Sequence, residues 1–148
     1  MNRALLDVNV LIALFSPGHV HHETAHDWFA DNRASGWATC PLTENGFLRV
    51  IGNPARGGQF VPMPDLMDYL RGFCASGDHE FWPDVVSLRD EQLFNMSAAR
   101  GHQHLTDVYL LGLAVKHGGR FVTFDHNVPL GAVKGARREV LEVISPME

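Results

Sequence analysis

Four acidic residues stand at the edges of apolar segments of this sequence. Asp7 follows the apolar run ALL, and Asp125 follows the run RFVTF. If both runs are strands of an open parallel sheet, both carboxylates lie at its carboxyl edge, where such sheets form their ligand crevice. Glu44 and Asp107 each precede a pair of apolar residues by three and four positions, so each projects from the apolar face of a helix near its start.

A crevice that gathers these four acids is suited to a metal ion. Carboxylates that lie close together repel one another and are costly to desolvate. A divalent cation offsets the repulsion, and ligands that are all oxygen suit Mg²⁺ or Mn²⁺ better than Zn²⁺. Mg²⁺ held by carboxylates keeps part of its water and takes further ligands from phosphate. The pattern therefore favours hydrolysis of phosphodiester bonds by a metal-activated water.

Each acid also has a purely structural interpretation when it is considered alone. Asp7 can cap the helix that follows it, and Asp125 can open a turn with Asn127. Glu44 and Asp107 suit a helix N-terminus, where an acidic side chain contributes roughly 0.3–1 kcal/mol. The set of four, and not any single member, favours the metal site.

Strand-like and helix-like apolar patterns alternate along the chain, which favours an α/β fold with a mainly parallel sheet. The predicted strands are 3–6, 36–40, 79–83, 120–124 and 139–144. Helices are predicted after the first strand as far as Pro17, over 22–32, from Pro41 past Ile51, over 64–75, over 89–99, and from an N-cap at Thr106 to His117. Residues 52–60 are predicted to form a loop because of their glycines and proline.

Length and composition narrow the class of protein. The 148 residues suit one compact domain, and the formal charge of -5 argues against a basic protein that coats nucleic acid. No apolar run approaches the ~20 residues of a membrane span, and no secretory signal is evident. We expect a cytoplasmic protein in which Cys40 and Cys74 are free buried thiols.

The four segments that carry the acids resemble, in their order and spacing, those of a PIN-domain nuclease. They are LLDVNVLIALF with Asp7, PLTENGFLRV with Glu44, LTDVYLLGLAVKHGG with Asp107 and RFVTFDHN with Asp125. The segments TENGFLRV and HEFWP make the resemblance closest to the VapC-like ribonuclease toxins of bacterial toxin–antitoxin pairs. The resemblance implies a single PIN domain over residues 1–148, a three-layer α/β/α sandwich with a central, mainly parallel sheet.

The resemblance also implies a role for each matching acid. The expected catalytic quartet is Asp7, Glu44, Asp107 and Asp125. Asp7 and Asp107 match the principal Mg²⁺ ligands, and Asp125 is expected to complete or support the metal site. Glu44 is expected to hold a metal-bound water or a second ion, and Mn²⁺ is a candidate substitute for Mg²⁺.

Other residues and partners follow from the same resemblance. Asn9 is expected to orient Asp7, and Thr123 is expected to support the site by contacting a ligand and not the metal itself. The implied substrate is RNA cut endonucleolytically, the implied partner is a cognate antitoxin protein, and a homodimer is expected. Independently of the resemblance, three arginines are candidates for contacts with phosphates, namely Arg49, Arg56 and Arg100.

Two alternative functions stay open at the level of sequence. A scaffold that binds RNA or an antitoxin without catalysis is one, although the complete set of acids argues against it. Residues 22–26 also satisfy the pattern HExxH of zinc metalloproteases, with His22 and His26 on one helix face and Glu23 as a base. No third ligand follows at the metzincin spacing, so this pattern favours partly buried histidines with at most incidental metal binding.

Overall fold

A computed structural model of the chain describes residues 2–56, 60–99 and 101–145. These residues contain one five-stranded sheet in which all neighbouring strands are parallel. The strands are β1 (Ala4–Leu6), β2 (Trp37–Thr39), β3 (His79–Phe81), β4 (Arg120–Thr123) and β5 (Leu141–Val143), in the spatial order β3-β2-β1-β4-β5. Because β2 and β4 lie on opposite sides of β1, the strand order reverses there, and open α/β sheets bind ligands at such a point.

Five α-helices flank the sheet in the described residues. They are α1 (Val8–Phe15), α2 (His22–Asn32), α3 (Pro41–Ile51), α4 (Met63–Cys74) and α5 (Leu105–Lys116). Short 3-10 turns connect them at Arg33–Ser35, Pro54–Arg56, Met96–Ala98, His102–His104, Leu130–Ala132 and Arg138–Val140. None of the helices in these ranges is long and apolar enough to cross a membrane.

The central strands are buried on both faces, which explains their nearly continuous apolar sequence. On one face, side chains such as Leu6 and Trp37 pack against α1, α2, α3 and α4. On the other face, Leu5, Ala38 and Phe121 pack against α5 and the segments that precede and follow it. The predicted three-layer α/β/α sandwich with a parallel sheet is therefore confirmed.

The predicted helix over 89–99 is wrong. This segment forms turns, with only the short 3-10 turn Met96–Ala98. Its backbone pairs with a distant segment instead: the N–H of Asn95 donates to the carbonyl of Ala132 at 2.8 Å, and the N–H of Lys134 donates to the carbonyl of Leu93 at 2.7 Å. The buried Phe94 bridges Val133, so long-range pairing replaces the helical hydrogen bonds.

Smaller corrections concern element ends. Helix α5 begins at Leu105 with His104 as its N-cap, so Thr106 is an exposed residue of the first turn and not the predicted cap. The strands are shorter than predicted, and β5 spans only Leu141–Val143. Residues 57–59 of the predicted loop and Arg100 lie outside the described residues.

Candidate functional site

Asp7 leaves β1 at its carboxyl end and is the N-cap of α1. One of its carboxylate oxygens accepts the backbone N–H of Val8 at 2.7 Å, and the other accepts the hydroxyl of Thr123 at 2.6 Å. Asp7 is only 6% exposed, and this burial raises the pKa of its carboxyl, as does the charge of Asp125. The two hydrogen bonds lower the pKa in part, so they fix the carboxylate in position without removing the cost of burying its charge.

Thr123 is the last residue of β4 and connects several site residues. Its buried hydroxyl, which donates to Asp7, accepts the backbone N–H of Asp125 at 3.0 Å and the side-chain amide of Asn9 at 3.3 Å. Asn9 also accepts the backbone N–H of Phe124 at 3.5 Å. Asn9 therefore acts on the first acid through Thr123, which is an indirect form of the orienting role expected from the resemblance.

Asp125 and Asp107 reach the same place from β4 and α5. Asp125 accepts the backbone N–H of Asn127 at 2.8 Å, as in the predicted turn. Burial raises the pKa of Asp107 to about 7, and the charge of Asp7 and the adjacent carboxyl of Asp125 act in the same direction. Asp7, Asp107 and Asp125, hereafter the carboxylate group, therefore form a concentration of negative charge at the β1–β4 switch point.

His104 adds a nitrogen donor that the sequence reasoning missed. A ring nitrogen of His104 and carboxylate oxygens of Asp107 and Asp125 all lie within 4.8 Å of one another. The Nδ1 atom of His104 is buried and lacks a hydrogen-bond partner among the described residues. The sequence signal was the spacing of three between His104 and Asp107, which brings an N-cap and a first-turn side chain together on one side of a helix.

Helix α3 positions Glu44 as the sequence predicted. Pro41 is its first residue, and Glu44 stands on the same side as the buried Phe47. Gly46 lets α3 approach α1, because a Cβ atom at this position would lie 2.7 Å from the side chain of Val8. The backbone of Glu44 therefore lies near the carboxyl ends of the strands.

The carboxylate of Glu44 nevertheless belongs to a different group from the other three acids. It accepts the hydroxyl of Thr39 at 2.6 Å and lies within 4.8 Å of the Sγ atom of Cys74 and a ring nitrogen of His79. Burial, with the charge of Glu44, raises the pKa of Cys74 to about 11, whereas Glu44 is not among the charges that shift the pKa of Asp7 or of Asp107. The structure thus brings three acids of the quartet together and directs the fourth elsewhere.

The HExxH segment has a structural role. The Nδ1 atom of His22 lies 2.7 Å from the carbonyl oxygen of Ala13, and the Nε2 atom of His26 lies 2.9 Å from that of Leu14. These carbonyls belong to the last turn of α1, where backbone acceptors lack helical partners. No group of three metal-ligating side chains includes His22 or His26 in the described residues, so the segment caps a helix rather than forming the zinc site of a protease.

Two of the three arginines that are candidates for phosphate contacts lie in the described residues. Arg49 and Arg56 are exposed, and Arg100 lies outside the described residues.

Both cysteines are free, as expected. Cys40 is buried, whereas Cys74 is only half-buried. Cys74 is therefore the cysteine that solutes can reach.

The parallel sheet with acidic side chains at its switch point defines the class of domain, and comparison with known proteins identifies its family. A family model described as PIN domain matches residues 4–133. The chain is 44% identical over 142 residues to Ribonuclease VapC44 of Mycobacterium tuberculosis, an alignment that covers 96% of this chain and 99% of that protein. The chain belongs to the PIN domain family, which confirms the resemblance found in the four segments.

Further relatives agree with this assignment. The chain is 42% identical over 122 residues to Ribonuclease VapC39, and 44% identical over 125 residues to Ribonuclease VapC38, both of Mycobacterium tuberculosis. These alignments cover 82% and 84% of this chain, and 88% and 86% of the relatives. The crystal structure of PAE2754 from Pyrobaculum aerophilum is similar with a TM-score of 0.53 and 21% identity, covering 96% of this chain and 84% of that one, which supports the fold alone.

Proposed function

We propose that this chain is an Mg²⁺-dependent endoribonuclease that acts as the toxin of a toxin–antitoxin pair. The ribonuclease class follows from relatives that are named ribonucleases and that align with most of the chain. The observation in the molecule that carries the proposal is the carboxylate group, Asp7, Asp107 and Asp125, at the switch point of the sheet. A scaffold that only binds RNA or an antitoxin has no need for three adjacent acids, two of which, Asp7 and Asp107, have pKa values raised by burial and by neighbouring carboxylates.

The donors of the carboxylate group fit a hard divalent cation. They are carboxylate oxygens, and burial, with the neighbouring charges of Asp7 and Asp125, raises the pKa of Asp107 to about 7. A bound Mg²⁺ or Mn²⁺ would supply an acidified water and offset the charge on the phosphate that is attacked. We propose Asp7 and Asp107 as the principal ligands and Asp125 as the residue that completes the site.

The residues behind the ligands hold them in one arrangement. Thr123 donates to Asp7 and accepts the backbone N–H of Asp125, so one hydroxyl sets the positions of two acids. Asn9 in turn donates to this hydroxyl. Such outer hydrogen bonds orient the ligands of metal sites and are worth about 10–100-fold in affinity or activity.

Glu44 is proposed to hold a metal-bound water or a second ion. In the described conformation one of its carboxylate oxygens accepts the hydroxyl of Thr39, and the carboxylate lies beside Cys74 and His79. These contacts differ from those of the carboxylate group. The difference makes the Glu44 role separable from the roles of the other three acids.

The proposed biological setting follows the relatives. RNA is the proposed substrate, and an antitoxin protein is the proposed partner that blocks the acidic crevice. A homodimer and a cytoplasmic location are also proposed. Measurement of the mass in solution tests the dimer independently of catalysis.

The direct test compares RNA cleavage by the wild-type chain and by Asp7→Asn. We expect cleavage to stop in EDTA, to return with Mg²⁺, and to fall at least ~100-fold in Asp7→Asn, because a ligand should contribute more than an outer-shell partner. Asp27→Asn is the matched control, since it removes the same charge from an exposed position on α2. Full cleavage in EDTA or by Asp7→Asn would reject the mechanism, and binding of RNA that stays intact would favour the scaffold.

A further inference from the structure

Glu44, Cys74 and His79 form a second group of metal-ligating side chains, hereafter the mixed group. They come from the first turns of α3, the end of α4 and the start of β3. One ligand atom from each residue lies within 4.8 Å of the other two, and all three side chains are half-buried. Three elements that are distant in sequence therefore converge on one small, accessible volume.

The donors of the mixed group differ in kind from those of the carboxylate group. They are one carboxylate oxygen, one thiol sulfur and one imidazole nitrogen. Zn²⁺ is bound by this combination in proteins, at about 2.3 Å from sulfur and about 2.0–2.2 Å from nitrogen and oxygen. In a tetrahedral site with these bond lengths the donors lie roughly 3.3–3.6 Å apart, so separations of up to 4.8 Å need a contraction of at most about 1.5 Å.

The surroundings of the mixed group hold its donors in place. The hydroxyl of Thr39 donates to Glu44 at 2.6 Å and lies 2.8 Å from the Nε2 atom of His79. Thr39 is fully buried at the end of β2, so this hydroxyl is fixed by the sheet. The ring of His79 packs on Trp37 with centroids 4.5 Å apart, which restricts the rotation of the imidazole.

The protonation states of the two neutral donors are compatible with metal binding. Burial lowers the pKa of His79, so its imidazole is neutral near pH 7 and keeps one nitrogen lone pair. Cys74 is a free thiol whose pKa burial raises to about 11. A metal ion at this place must displace the thiol proton, as zinc does when it binds cysteine.

We infer that Glu44, Cys74 and His79 bind one Zn²⁺ ion at a site distinct from the carboxylate group. The Sγ atom of Cys74 forms a bond to Zn²⁺ as its S–H bond breaks, and the proton passes to water. A ring nitrogen of His79, a carboxylate oxygen of Glu44 and a solvent water fill the remaining positions of a tetrahedron. The hydroxyl of Thr39, which contacts all three residues in the described conformation, then lies beside the ion and orients Glu44.

A regulatory consequence rests on the proposed function. If Glu44 takes part in RNA cleavage, Zn²⁺ at the mixed group occupies the carboxylate that would otherwise hold a water or a second ion. Zn²⁺ would then inhibit the nuclease while Mg²⁺ supports it. Inhibition of this kind depends on Cys74, a residue outside the catalytic set.

Titration with Co²⁺, a spectroscopic substitute for Zn²⁺, tests the site without any assay of activity. We expect a near-ultraviolet thiolate-to-metal band that saturates at one Co²⁺ per chain and is displaced by Zn²⁺. The band should be absent in Cys74→Ser, and Zn²⁺ affinity should fall at least ~10-fold in His79→Gln. Cys40→Ser is the matched control and should keep the band, and thermal unfolding checks that each variant is folded.

Several outcomes would overturn the inference. They are the absence of a thiolate band in the wild-type chain with excess Co²⁺, a band that persists in Cys74→Ser, and unchanged Zn²⁺ affinity in His79→Gln. If Cys74→Ser does not fold, Cys74→Ala and His79→Gln decide the question in its place. These readouts do not involve RNA, so a failure of the proposed ribonuclease function leaves them unaffected.

The inhibitory consequence has its own test. In Mg²⁺, equimolar Zn²⁺ should slow RNA cleavage by the wild-type chain at least ~10-fold, whereas Cys74→Ser should resist it and remain active in Mg²⁺ alone. Equal inhibition of both chains would show that Zn²⁺ acts at the carboxylate group and would overturn the regulatory role. Absence of cleavage in all conditions would instead count against the proposed function.

Discussion

Two threonines at the ends of strands β2 and β4 each donate a hydrogen bond to a carboxylate, and the two carboxylates have chemically different surroundings. Thr123 ends β4 and Thr39 ends β2, and both are fully buried. Each donates its hydroxyl to a carboxylate at 2.6 Å, Thr123 to Asp7 and Thr39 to Glu44. The strand end therefore fixes a carboxylate in both cases, and the helices and strands around it decide what that carboxylate meets.

The surroundings give the two carboxylates opposite environments. Asp7 meets two further acids, and burial together with the neighbouring carboxylates raises the pKa of Asp7 and of Asp107. Glu44 meets Cys74 and His79, both of which are neutral near pH 7 because burial raises the pKa of the first and lowers that of the second. The donors of the carboxylate group thus suit a hard cation that offsets their repulsion, whereas those of the mixed group suit a softer metal ion.

The largest expected effect is on RNA cleavage, which should depend more strongly on Asp107 than on Glu44. Asp107→Asn should reduce RNA cleavage in Mg²⁺ at least ~100-fold, because it removes a proposed ligand, and Glu44→Gln should reduce it less. Single-turnover cleavage of an end-labelled RNA measures both. An equal or larger loss in Glu44→Gln would show that Glu44 joins the carboxylate group in the active conformation.

The next effect concerns stability and pH in the absence of metal. The folded chain raises the pKa of Asp107 from 3.8 to about 7, so the folded state binds more protons than the unfolded state between these values. The stabilisation that protonated Asp107 contributes should therefore be complete below about pH 4 and be lost as the pH rises toward 7, by less than about 1.4 kcal/mol per pKa unit because the side chain is only half-buried. Denaturant unfolding of both chains in EDTA measures this slope as a difference, and Asp107→Asn should gain stability relative to the wild-type chain as the pH rises through this window. A difference between the two chains that does not change with pH would contradict the raised pKa of Asp107.

An effect of intermediate size is expected from a matched pair of threonine substitutions, which distinguishes the two groups. Thr123→Val should weaken Mn²⁺ binding about 10–100-fold and leave Co²⁺ binding to the mixed group unchanged, since only the hydroxyl behind Asp7 is lost. Thr39→Val should weaken Co²⁺ binding to the mixed group about 10–100-fold and leave Mn²⁺ binding to the carboxylate group unchanged. Calorimetric titration of both metals into both variants measures the four affinities, and the same pattern of losses in both variants would show that the two groups are coupled.

The smallest effect belongs to the histidines of α2. His26→Ala should lower the free energy of unfolding by about 1 kcal/mol, because the carbonyl of Leu14 loses its partner. His26→Gln should retain most of this stability, since its amide can donate at the position of Nε2. Neither variant should change RNA cleavage or metal affinity, and a loss of either would reopen a metal role for the HExxH segment.

The sequence predicted the carboxylate group well because it depends on strand ends. Asp7 and Asp125 follow strands that are neighbours in a parallel sheet, so the topology alone brings them together. The position of Asp107 three residues into α5 adds the third acid. His104 was not predicted because its role depends on α5 beginning two residues earlier than expected, with His104 and not Thr106 as the N-cap.

The direction of the Glu44 side chain was beyond prediction from the sequence. Helical spacing placed Glu44 on the inner face of α3, but its hydroxyl donor and its neighbours come from β2, α4 and β3. Likewise, the turn structure of residues 89–99 results from pairing with residues 132–134, a long-range contact that local periodicity does not encode. Side-chain direction and long-range pairing are tertiary properties, and both errors arose there.

The most direct test of the central claim is a Mn²⁺ titration followed by electron paramagnetic resonance at pH 8, above the raised pKa of Asp107. We expect the wild-type chain to bind Mn²⁺, Mg²⁺ to displace it, and Asp125→Asn to weaken binding more than ~10-fold. Equal Mn²⁺ affinity in the two chains would contradict the claim that these acids form a divalent metal site.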